Sequence, residues 1–166
     1  GLVLSPQRPT PNEPVPVAKK HESAPVGRKP GSQPSFDQGQ RLLDEAVNKR
    51  FPADPHKLDE SLRIAIEHFT TACALEPESS AAFLGRGRTR ALLGDLDRAE
   101  QDLARAVELA PTSSEGWYQR ACVRFERSLE SSGLSRDPDA SDASVQWRRL
   151  AAEDFQKAAE AGLKGP

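Results

Sequence analysis

Displaced by 34 residues, one stretch of this chain lies on another, and that internal period constrains the fold more than any other feature. Ala65, Phe69, Ala72, Leu75 and Pro77 fall on Ala99, Leu103, Ala106, Leu109 and Pro111. Further along, Phe83, Arg86, Gly87 and Arg90 fall on Trp117, Arg120, Ala121 and Arg124. A third copy of the second half, Ala151, Phe155 and Ala158, returns after 52 residues instead. A fixed period of this length marks a supersecondary unit that cannot bury its apolar face alone and must stack on its neighbours. Apolar residues at a spacing near 3.6 predict six helices, at about 35–50, 58–76, 79–93, 96–110, 113–132 and 143–161. Pro52, Pro55, Pro77 and Pro111, the Gly94-Asp95 turn and a polar stretch from Ser131 to Asp139 separate them. No stretch alternates with period two, so the expected class is all-α.

The residues that recur are of two kinds. Small ones, such as Gly87, Ala99 and Ala106, let two helices approach closely, while Phe69, Phe83, Trp117 and Phe155 fill the gaps between layers. This pattern resembles the tetratricopeptide repeat (TPR) family. The middle copy carries it most fully, as Phe83, Gly87, Gly94, Ala99, Leu103, Ala106 and Pro111. The third copy has Trp117, Ala121, Ala151, Phe155 and Ala158, and the first has Phe36, Ala65, Phe69, Ala72 and Pro77. The resemblance implies a right-handed helical-repeat stack of about three TPR-like helix pairs, spanning about 35–77, 79–111 and 113–162.

Two features depart from the family pattern. The first repeat carries about 13 extra residues before Ala65 and the third about 18 before Ala151, enough to lengthen helices as well as turns. Trp147 and Phe125 are expected near the far ends of these extensions, either as contact surface or packed on each other. The stack also ends at about residue 162, before a short tail at 163–166, with no polar-faced seventh helix to cover its last pair. A partner, another copy of the chain or the N-terminal segment is expected there.

That N-terminal segment, residues 1–34, has different physics. Eight of the 14 prolines lie in its first 34 positions, so neither helix nor sheet propagates through it. It carries Arg8, Lys19, Lys20, Arg28 and Lys29 against Glu13 and Glu22, whereas the remainder of the chain is net acidic. We read it as a basic, Pro-rich extended arm or linker. The chain holds no methionine, so Gly1 is not a translation start, which fits a processed chain or a piece of a longer one.

Most chemistries are excluded by what is missing. Cys73 and Cys122 stand far apart with no second thiol or histidine at ligand spacing, and both read as small core hydrophobes. His21, His56 and His68 form no H-E-x-x-H pattern, and there is no G-x-S-x-G elbow or P-loop. Gly85-Arg86-Gly87-Arg88 looks like a phosphate loop but sits inside a repeat helix with no strand before it. The carboxylates are scattered rather than paired for acid–base work. The expectation is a protein that is not an enzyme and has no catalytic, metal or cofactor site. A net charge of −2 gives no electrostatic case for nucleic acid, and no apolar run reaches the length of a transmembrane segment.

The arginines form the one conspicuous charged pattern. Arg86 and Arg90 are four apart on one helix, and Arg120 and Arg124 repeat the pair one period later, so stacking sets the four in a ladder. They either pair with acids such as Asp102, Glu115 and Glu126 or form a strip that reads carboxylates or phosphates on a partner. The resemblance further implies that an extended peptide lies along the concave surface of the first helix of each repeat. The matching positions are Asp37, Arg41, Leu84, Arg88, Tyr118, Cys122 and Phe125. The paired asparagines and lysines with which chaperone-binding TPR domains clamp a C-terminal carboxylate are not at those positions, although Arg88 offers one charge.

The expected function is therefore a non-catalytic scaffold for protein–protein interaction, a small subunit or accessory component of a larger complex. The arm and the uncapped last repeat would be its added contacts. The alternative is a regulatory TPR region of a longer signalling enzyme such as a bacterial protein kinase.

Overall fold

A computed structural model describes residues 32–48, 55–133 and 138–163 of the chain. The Pro-rich arm up to residue 31, Pro52 and the tail after residue 163 lie outside the described residues. Six helices and no strand occur among those described: α1 (Ser32–Asn48), α2 (Pro55–Leu75), α3 (Ser80–Leu92), α4 (Leu96–Leu109), α5 (Ser114–Gly133) and α6 (Pro138–Leu163).

The helices pack as three antiparallel pairs, α1 with α2, α3 with α4 and α5 with α6, and each pair rests on the next through α2 against α3 and α4 against α5. Beyond these contacts, α1 touches α3 and α3 touches α5, whereas α2, α4 and α6 do not touch one another among the described residues. The first helices of the pairs are thus drawn together and the second helices splayed, which curves the stack and makes α1, α3 and α5 its inner face.

Close approach between helices depends on glycine. Phe69 of α2 is fully buried and lies between Gly39 of α1 and Gly85 of α3. A Cβ at Gly85 would stand only 2.4 Å from the ring, and one at Gly39 only 3.1 Å from it. Gly87 meets Leu103 in the same way, with a Cβ-to-Cγ separation of 2.8 Å. Around these sites lie two main core clusters. Leu43, Leu62, Ala65 and Phe69 hold the first pair, with Phe36 edge-on to Phe69 at 5.8 Å. Leu96, Ala99, Leu103 and Val123 join the second pair to the third. The chain reverses between α3 and α4 through Gly94, at φ 78°, and the Asp95 side chain then accepts from the Arg98 backbone N–H to start α4.

Three helix starts differ from the sequence reading, the first being that α2 begins at Pro55, read above as a separator, rather than near 58. Helix α1 begins at Ser32, so Pro34, assigned above to the arm, sits in its first turn, where a missing N–H costs nothing. Helix α6 begins at Pro138 rather than near 143, because proline serves as well at a helix start as in a loop. The added residues of the third repeat extend both its helices, giving α5 20 residues and α6 26 against 13 and 14 in the middle pair. Against the α4 side of the stack, Arg127 of α5 lies 4.2 Å from the Trp147 ring of α6 and pairs with Asp97 and Glu100. The extension is therefore packed on its own repeat and tied to the one before it.

Candidate protein-interaction face

The arginine ladder is built from α3 and α5, one pair per repeat. Arg86 donates two hydrogen bonds to Asp102, at 2.9 and 2.7 Å, and Arg90 donates a third at 2.7 Å. One repeat later, Arg120 donates to both oxygens of Asp154, at 2.7 and 2.8 Å, and Arg124 adds a third bond at 2.8 Å. Arg124 also reaches Glu100 at 3.0 Å. The first guanidinium of each pair further covers the aromatic ring three residues before it: Arg86 lies 5.4 Å from Phe83, and Arg120 4.8 Å from Trp117. Lys157 lies over Trp117 as well, at 4.6 Å, and the indole N–H donates to the Pro111 carbonyl at 2.8 Å.

Asp102 and Asp154 expose 5% and 1% of their side chains, and the four arginines 11–18%. The four guanidiniums therefore act inside the protein, fixing the second helix of each pair to the first. Asp102 was among the acids expected. Glu115 instead faces Arg88 across α3 and α5, at 3.8 Å. Asp154 was missed because the insertion shifts it by 52 residues from Asp102 rather than 34; aligning Ala151 with Ala99 reveals it.

On the inner face, α5 shows a stripe of Tyr118, Cys122, Phe125 and Leu129, recurring at helical spacing along one side. Tyr118, Phe125 and Leu129 are 49, 46 and 52% exposed. Tyr118 also meets Phe155 of α6 edge-on at 5.8 Å. Leu92 of α3 is exposed, and Arg88 is held by Glu115. Arg41 is exposed on α1, and Asp37 accepts from Gln33. Leu84, by contrast, packs against the Leu96–Leu103 cluster and is half-buried. Burial pushes the Cys122 thiol up, with hydrogen bonding to Tyr118 opposing. Burial, then the neighbouring Glu130, pushes the Glu126 carboxyl up beside the stripe.

A polar cleft of about 250 Å³ opens at the α3–α4 turn and is lined by Gly94, Asp95, Asp97, Arg127, Glu130 and Trp147 among others. The Arg127–Asp97 pair sits in it. Among the described residues no three His, Cys, Asp or Glu side chains are placed to hold a metal, and no helix is long and apolar enough to cross a membrane.

No protein-family model matches the chain. It is 38% identical over 102 residues to human Tetratricopeptide repeat protein 36, an alignment covering 61% of this chain and 46% of that protein. The chain thus spans about half the length of the curated relative it matches. Among solved structures it is similar to the second TPR domain of Spaghetti (RPAP3) bound to the HSP90 peptide SRMEEVD. That likeness has a TM-score of 0.50 at 15% identity, covering 78% of this chain and 97% of the other. It is also similar to the TPR2B domain of yeast Sti1 in its pHsp70 complex, with a TM-score of 0.46 at 16% identity over 76% and 97%. The period, the glycine-mediated packing and the likeness to the Spaghetti domain agree on the architecture: the described residues of this chain adopt a tetratricopeptide-repeat fold of three helix pairs.

Proposed function

We propose that this protein is a non-catalytic scaffold that binds an extended segment of a protein partner along the inner face of α1, α3 and α5. The observation that carries this is the stripe of Tyr118, Phe125 and Leu129, exposed together on one side of α5 with Leu92 on the adjoining helix. Large apolar side chains grouped on a concave surface mark a binding groove more often than an ordinary surface. The similar domain of Spaghetti was solved with a peptide bound, which supports a peptide as the ligand class. The chemistry here favours apolar and aromatic anchors over a terminal carboxylate. Arg86, Arg90, Arg120 and Arg124 are committed to Asp102 and Asp154, and Arg88 is engaged by Glu115. The basic arm supplies a second attachment, and linking two weak contacts raises overall affinity without either being tight. Such a piece fits a small subunit or accessory component of a larger complex.

The test is selection of displayed random peptides on the full chain, followed by affinities for the wild type, Phe125→Ser, Tyr118→Ser and an outer-surface control, Arg98→Ala. Loss of one anchor residue should cost about 2 kcal/mol, a weakening of roughly 30-fold, and the control should bind as the wild type does. Peptides that bind all four proteins equally would overturn the groove reading.

A further inference from the structure

The three second helices meet their surroundings differently at equivalent positions. In α2, Leu62, Phe69 and Cys73 are buried and Ile66 half-buried beneath α3; in α4, Leu96, Leu103 and Val107 are buried and Glu100 half-buried beneath α5. The same register in α6 is Arg148, Ala152, Phe155 and Ala159, and all four are exposed, Phe155 by 38%. Among the described residues α6 rests only on α5, so its outer flank has no helix on it. With Val145 and Gly162, also exposed, these residues recur at alternating intervals of three and four along α6. That spacing is the seam of a helix made to pair with another helix.

Where such a flank is covered within the chain, a large residue meets a small one: Phe69 faces Gly85, and a Cβ at Gly116 would stand 3.1 Å from Val107. The α6 seam matches itself by the same rule. Laid antiparallel about a midpoint between Glu153 and Asp154, Phe155 falls on Ala152 of the second copy, Val145 on Gly162 and Arg148 on Ala159. The charges agree with that direction. Arg148 is exposed in the N-terminal half of α6 and Glu160 in the C-terminal half, so antiparallel pairing sets these two opposite charges together, while Arg149 pairs with Glu153 within the helix and Lys157 lies over Trp117. A parallel arrangement would oppose arginine to arginine and ring to ring.

We propose that the outer flank of α6 is a self-association surface on which two copies of this chain pair their α6 helices antiparallel, Phe155 of each packing over Ala152 of the other. The contact is isologous, so it closes as a dimer; Phe155 also meets Tyr118, so the seam borders the inner face. A single helix pair is a small interface, and the dimer belongs to the weak, concentration-dependent class. This inference does not rest on the peptide-binding reading.

Sedimentation equilibrium of the full chain over a range of concentrations tests it. The expected mass rises from 18.1 kDa toward twice that value as concentration increases. Ala152→Glu, at an exposed helical position, should keep the wild-type circular dichroism and melting curve yet remain a monomer throughout. Arg148→Glu should weaken the dimer at least tenfold, and adding Glu160→Arg should restore it. A wild-type chain that stays monomeric at every concentration overturns the proposal. So does a dimer that Ala152→Glu leaves intact.

Discussion

Asp102 and Asp154 occupy the same place in successive helix pairs, and each bridges two arginines set four residues apart on the helix before it. The pair Arg86 and Arg90 closes on one carboxylate and Arg120 and Arg124 on the other, with donor–acceptor distances of 2.7–2.9 Å. Removing the acid strands two guanidiniums that are largely out of water. Asp102→Ala and Asp154→Ala should each cost about 3–5 kcal/mol, measured by urea unfolding. Breaking the exposed Arg105–Glu108 pair with Glu108→Ala should cost under about 1 kcal/mol. Equal effects at the two kinds of site would contradict the structural role assigned to the ladder.

Glycine sets the spacing of the first two pairs, and the cost of adding a methyl group should follow the space available. Gly85→Ala drives a Cβ to 2.4 Å from Phe69 and should destabilise by about 1–3 kcal/mol, part of it recovered when Phe69→Leu is added. Gly94→Ala meets no atom within 4 Å, and its cost of about 1 kcal/mol comes from φ 78° alone. In that case a second change at Phe69 should recover nothing. Thermal melts of the four variants decide between the two mechanisms.

Both thiols are held above their ordinary value near 9, chiefly by burial. The thiolate fraction at any given pH is then smaller than in a free thiol. Iodoacetamide should modify both slowly at pH 8, with rates that keep rising to higher pH than for a model thiol. Cys122, half-exposed on the inner face, should react faster than buried Cys73, and a groove-bound peptide should slow only Cys122. Mass spectrometry of the two tryptic peptides reads both rates in one experiment.

Much of this fold is written in the sequence because its packing rule is local and repeats. The placement of Ala65, Phe69 and Ala72, then Ala99, Leu103 and Ala106, expresses which side chains can fit between two helices, and the first two pairs obey it; in the third Ala151 is buried but Phe155, expected to fill a gap between layers, is exposed. The Gly94-Asp95 turn was legible for a similar reason, since few other residues adopt that backbone. What the sequence hid is what the insertion moved. The Asp154 half of the ladder lies beyond the longer α5 and α6, so no constant shift finds it. The start of α1 just before Pro34 and those of α2 at Pro55 and α6 at Pro138 were hidden because proline marks both a loop and a first turn. The orientation of Leu84 followed from neither period nor composition: it packs inward because Val123 and Leu96 are close enough to take it.

Binding of a partner segment along the inner face of α1, α3 and α5 can be read residue by residue by nuclear magnetic resonance. A selected peptide is titrated into the full ¹⁵N-labelled chain and the perturbed backbone amides are mapped. They should lie along α3 and α5, around Arg88, Leu92, Tyr118, Cys122, Phe125 and Leu129, with α2 and α4 outer surfaces unmoved. Perturbations concentrated on the outer surfaces of α2 and α4, with the α5 stripe silent, would contradict it.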